Sequence, residues 1–185
     1  TGSRLRQVDD PRQAMEILLT QSASAVQAQT GGIYLFQAGE ITRVMALDGN
    51  QIRQENIQFP HSDSFIKTFE NGQPQMVFLQ NIDPAYPVYQ TLFHNGSTML
   101  YLLPLQESQS PLGLLYLGFK QFRIFSPDES YLLTTLAELG GITLKRIQAD
   151  EQLKKHMANR ERELEVLYHI SALSNERLDL SSMLK

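Results

Sequence analysis

Four histidines, an adjacent pair of carboxylates and a dense run of aromatics are the residues here that could do chemistry. His94 stands before Asn95-Gly96 and His61 follows Pro60; either imidazole is a possible haem ligand or hydrogen-bond donor. His94 equally suits a helix C-terminus, where the dipole favours histidine. His156 and His169 fall in a long helical pattern, and the residues around His169 lack a phosphoacceptor box. Asp128-Glu129 directly follow Ser126-Pro127, so they read as first-turn residues of a helix, not as an acid–base couple. The chain has 0 cysteines. That removes thiolate nucleophiles, Cys-ligated zinc, iron–sulfur clusters and thioether-linked cofactors. There is no glycine-rich phosphate loop and no metal site is predicted. Binding, and not catalysis, is the expectation, and aromatic walls with a few polar groups suit a small planar ligand.

The elements that must position these residues follow from pattern. With 185 residues, 42% of them hydrophobic, the chain can fill one core and carry an appendage. Its net charge of −4 argues against a nucleic-acid face. The longest apolar runs, 99–105 and 112–119, are far short of a bilayer span. The chain begins at Thr1, which suggests a piece of a longer protein.

Asp9-Asp10-Pro11 opens a helix whose apolar stripe is Ala14, Ile17, Leu18, Ala25 and Ala28, with Gly31-Gly32 as its expected stop. Residues 33–36 and 41–47 form a hairpin, and 51–59 adds a polar edge strand. A short helix is expected over 62–69, a strand at 75–79 and a helical turn at 88–95. Strands at 97–106 and 112–121 follow, joined by a loop at 107–111. A helix then starts at Phe125-Ser126-Pro127-Asp128-Glu129 and persists to about Asn175. Leu132, Leu136 and Leu139 share one face of it, and Leu153, Met157, Leu164 and Leu167 keep the spacing of a coiled-coil seam, interrupted by Arg160.

Four pieces in this order resemble the GAF domain of bacterial signalling proteins: Phe69-Glu70-Asn71-Gly72-Gln73-Pro74, the strand Gly96 to Leu105, Leu112-Gly113-Leu114-Leu115-Tyr116-Leu117, and Phe125 to Glu129. The resemblance implies an α+β, PAS-related fold: a six-stranded antiparallel sheet flanked by helices, with a long C-terminal signalling helix. It divides the chain into a sensory domain (1–147), a helical coiled-coil linker (148–177) and the start of a following module (178–185). Residues 165–184 resemble the segment that introduces a second such domain.

The resembled fold places its ligand cavity among Phe59, His61, Phe65, Phe78, Tyr89, Phe93, His94, Ser97 and Tyr101. A partial match to cyclic-nucleotide-binding members exists at Phe119-Lys120, Phe125 and Asp128-Glu129, with Phe119 in place of asparagine. There a Lys120–Asp128 clip is expected to be structural. Photoreceptor members hold a bilin through cysteine, which this chain lacks, so a covalent bilin is excluded and the cofactor stays unassigned. The implied function is ligand sensing passed through a parallel homodimer to an output module of a histidine kinase or a cyclic-dinucleotide enzyme. The alternatives are a ligand-free dimerisation spacer and a haem-based gas or redox sensor using His94 or His61. The expected setting is cytoplasmic, with any membrane anchor outside this fragment and no membrane contact by it.

Overall fold

Asp10 begins the first helix, α1 (Pro11–Val26), by accepting the Arg12 backbone N–H at 3.0 Å, with Pro11 pre-set for the first turn. The computed structural model describes residues 10–37, 40–59, 69, 71–82, 92–93, 96–107 and 110–183, with side chains at 37, 59, 107, 110, 151 and 168–183 left aside. The short helix expected at 62–69 and the turn expected at 88–95 fall almost wholly outside these residues. The chain divides into two units, 1–147 and 148–185.

In the first unit the strands are β1 (Thr30–Gln37), β2 (Glu40–Asp48), β3 (Gln51–Phe59), β4 (Gln75–Phe78), β5 (Met99–Glu107) and β6 (Ser110–Phe119). They form one antiparallel sheet in the order β3-β2-β1-β6-β5-β4. The last hairpin is tighter than expected, since its strands extend to Glu107 and resume at Ser110. β3 and β4 are the edges. The polar β3 suits that place, because exposed Arg53, Gln54, Asn56 and Gln58 discourage pairing with another sheet.

Gly31-Gly32 does not stop α1. The helix ends at Val26, where Gln27 takes the left-handed conformation (φ 53°) and donates its N–H to Ala23 and Ser24 carbonyls. The two glycines lie inside β1 instead. A Cβ on Gly32 would sit 2.6 Å from the Tyr116 ring and 2.5 Å from the Met45 carbonyl oxygen, so the glycine makes room for an aromatic of the opposite strand.

Alternation along the strands sorts the core into two faces. Ile33, Leu35, Met45, Met99, Tyr101, Leu103, Leu105, Leu115, Leu117 and Phe119 join the residues of α1 and Leu133, Leu136, Ala137, Leu144 and Ile147 in one cluster. Tyr34, Ile41, Leu100, Leu102, Leu114 and Tyr116 form a second cluster with Phe69 and Leu92. The first face is therefore roofed by helices. On the second, Phe69 and Leu92 are buried and Phe93 packs against them.

The last helix, α2 (Pro127–Met183), is 57 residues long and continues past Asn175 and through Leu178 without a break. Ser126 and Glu129 close a reciprocal capping box, with Glu129 N–H to Ser126 Oγ at 3.2 Å and Ser126 N–H to Glu129 Oε2 at 2.9 Å. The ion pair at this junction is Arg123–Glu129, and not the expected Lys120–Asp128 clip. The Arg123 guanidinium also donates to the Val26 carbonyl at the end of α1 and lies over the Phe119 and Phe125 rings at 5.7 and 5.2 Å. One side chain thus ties the end of the first helix to the start of the last.

Candidate functional site

On the second face of the sheet, a cationic and an anionic side chain are packed among aromatics. Tyr34 of β1 stands opposite Arg43 of β2, and Tyr116 of β6 leans over Gly32 towards them. The two phenol rings are 5.6 Å apart and fully buried. Arg43 Nε meets Glu55 Oε2 of β3 at 2.5 Å, and the two side chains keep only 13% and 21% of their exposure. Register shifts between Ile33 and Tyr34, and between Arg43 and Met45, mark a bulge around Val44. Bulges re-aim side chains next to sites; here Ile41 faces the second cluster and Met45 the first.

The electrostatics agree with a tight cluster. Burial works against the Arg43 charge, yet the Tyr34, Tyr116 and Glu55 oxygens outweigh it and hold the guanidinium above its ordinary pKa. Burial, reinforced by Tyr34 and opposed by Arg43, pushes the Tyr116 phenol far above the tyrosine range. The site therefore holds a fixed positive fork paired with Glu55, and a Tyr116 phenol kept neutral. That set can bind and orient an anionic or hydrogen-bonding group. Taking an ion pair out of water is costly, and breaking one costs about 3–5 kcal/mol. A charge placed here therefore calls for a reason beyond stability.

Of the residues expected to line the cavity, Phe78, Phe93, Ser97 and Tyr101 have described side chains. Tyr101 is buried on the helix-covered face, stacked on Phe125 with ring centroids 4.4 Å apart. Phe78 packs against the same cluster and stacks on Phe122 at 6.0 Å, beside a shallow cleft with Leu79, Thr98 and Met99. Among the described ones, Phe93 packs on the second face. Ser97 is buried and shares a 2.8 Å hydrogen bond with Thr30. His61, Phe65, Tyr89, His94 and the Phe59 side chain lie outside the described residues. Arg43, Glu55, Tyr34 and Tyr116 were missed. The available signal was a charged residue in each of two paired strands, at a position where alternation points inward.

Of the helix residues, Leu136 is buried in the core and Leu139 packs against it, whereas Leu132 is exposed. In the second unit Leu153, Met157, Leu164 and Leu167 are all exposed, at 58–64%. Among the described residues no cluster of three metal-ligating side chains occurs.

No protein-family model matches this sequence, and no curated protein does either. Solved structures do match. The blue-light-absorbing form of the Thermosynechococcus elongatus PixJ GAF domain superposes with a TM-score of 0.64 at 17% identity, over 81% of this chain and 94% of that one. The chromophore-binding domain of a bacteriophytochrome from R. palustris gives 0.66 at 12% identity, over 81% of this chain and 59% of that one. A domain assigned to a two-component sensor histidine kinase of Sinorhizobium meliloti gives 0.58 at 19%, over 77% and 96%. The chain has the GAF fold. At 12–19% identity the likeness is one of fold. Among the described residues of the domain, no helix is long and apolar enough to cross a membrane.

Proposed function

We propose that this GAF domain is a sensory or regulatory module of a multi-domain signalling protein, and that it binds a small ligand on the second face of its sheet. The observation that carries the reading is the Arg43–Glu55 pair, set with Tyr34 and Tyr116 on the second face of the sheet. The similar structures are described as light-absorbing, chromophore-binding or part of a sensor kinase, which favours a sensing role. A chromophore tethered by a thioether to this chain has no attachment point, since there is no cysteine.

Output in this reading runs through α2. Residues 148–177 serve as a coiled-coil linker in a parallel homodimer, with Leu153, Met157, Leu164 and Leu167 as its seam, and 178–185 lead into the next module. The exposed seam also supports a second reading, a spacer that dimerises and binds nothing.

Thermal melting against cyclic nucleotides, nucleotides, amino acids, small carboxylates, biliverdin and haem separates the two. A ligand at 100 times its Kd adds about 2.7 kcal/mol, which for a chain of this length raises Tm by roughly 5–11 °C. A Soret band on haem addition would assign the haem alternative, with His61 or His94 as the ligand to substitute first. A melting point unmoved by the whole panel would leave the spacer.

A further inference from the structure

The Arg43–Glu55 pair has an asymmetry that a simple strand staple does not need. Arg43 sits on an inner strand, with paired neighbours on both sides, while Glu55 sits on β3, which among the described residues has a partner on one side only. The register shift between Arg43 and Met45 loosens the ladder opposite Glu55 itself. The receptor is thus on the rigid part and its carboxylate on the part best able to yield. The phenols of Tyr34 and Tyr116 act on the guanidinium directly, and both rings belong to a buried cluster with Ile41 and Leu114.

We infer that Arg43 is an oxyanion receptor, that Glu55 is a built-in carboxylate occupying it, and that the ligand of this face carries a carboxylate which takes the place of Glu55. This rests on the ligand-binding reading above and adds the chemical class. A planar guanidinium pairs with a carboxylate through a fork of parallel hydrogen bonds, so one carboxylate can replace another with little rearrangement. Arrival of the ligand then frees Glu55 and loosens the edge of the sheet. Competition between the two carboxylates makes the resting affinity lower than the bare receptor would have, by about tenfold or more.

The test is to remove the internal carboxylate and supply it from solution. Glu55→Ala deletes the side chain beyond Cβ, and propionate, one carbon longer than the missing fragment, supplies the carboxylate from solution. The expected result is a Tm rise of roughly 3 °C or more with millimolar propionate in Glu55→Ala, a response at least several-fold weaker in the unaltered chain, and none with neutral propionamide. The double variant Arg43→Gln/Glu55→Gln should not respond. Should Glu55→Ala fail to fold, Glu55→Gln keeps the volume and an acceptor, and its response to propionate is compared with the same double variant. Equal responses in the single and double variants, or no response in either, overturn the inference and make the pair a staple. If the inference falls while a neutral ligand of the wider panel still raises Tm, the ligand-binding reading stands without it. If no probe of either kind acts, both fall.

Discussion

At the scale of the residue, small side chains decide where large ones go. Gly140 and Gly141 let α2 approach its neighbours closely. A Cβ at 140 would come within 2.5 Å of the Leu18 side chain, and one at 141 within 2.4 Å of the Gln106 carbonyl oxygen. Leu18 has a flexible end; a strand backbone does not. Gly141→Ala should therefore lower stability by about 1–3 kcal/mol through overpacking, although alanine is the better helix former by about 1 kcal/mol. Gly140→Ala should be nearly neutral, because Leu18 can give way and the propensity gain offsets the strain. Urea melts of the two variants check the contrast; equal midpoints would refute it. Neither glycine marks itself in the sequence. Gly31-Gly32 shows the same difficulty from the other side, since a glycine pair is a generic helix stop, and its actual reason, the Tyr116 ring, lies some eighty residues away.

At the scale of the element, the strands were readable because their alternation has period two and their turns carry Gly, Asp and Asn. The helix start at Pro127 was readable for a similar reason: Ser-Pro-Asp-Glu is a local signal. What could not be read locally was which face a residue takes across a bulge, and which strands meet. Tyr101 looked like a cavity wall among the aromatics, yet its place in β5 turns it towards the helices. The Arg43 cluster needs β1, β2, β3 and β6 side by side before it exists. The capping box of α2 yields a pH test. Hydrogen bonding from the Ser126 backbone, aided by Arg123, holds Glu129 below its ordinary 4.5. A carboxylate lowered in the folded state contributes stability that is complete above that ordinary value and is lost as pH falls through the lowered one. Melting temperature should thus decline below about pH 4.5, and Glu129→Gln should flatten part of that acid limb while lowering Tm at neutral pH. An unchanged acid limb in the variant would remove Glu129 from the account.

At the scale of the whole molecule, the proposed partner is a second copy of the chain. Leu153, Met157, Leu164 and Leu167 are exposed at 58–64%, and Arg160 sits in the same seam beside Glu161 and Glu163. In a parallel pair a cation at such a position faces the partner's following residue, here a glutamate, which offsets its charge and fixes the register. Sedimentation at tens of micromolar should give a dimer, and Leu164→Glu with Leu167→Glu should give a monomer with the sheet domain still folded by circular dichroism. A monomer before any substitution would refute the pairing. The central position of β1 beside β6 also has a consequence for biosynthesis. β3 is complete at residue 59 and β6 at residue 119, so at ~5–20 residues per second the first three strands wait roughly 3–12 s for the strand that completes the sheet's centre. During that interval the open flank of β1 is the nascent chain's most adhesive edge, and the domain becomes self-protecting only when the ribosome has delivered Phe119.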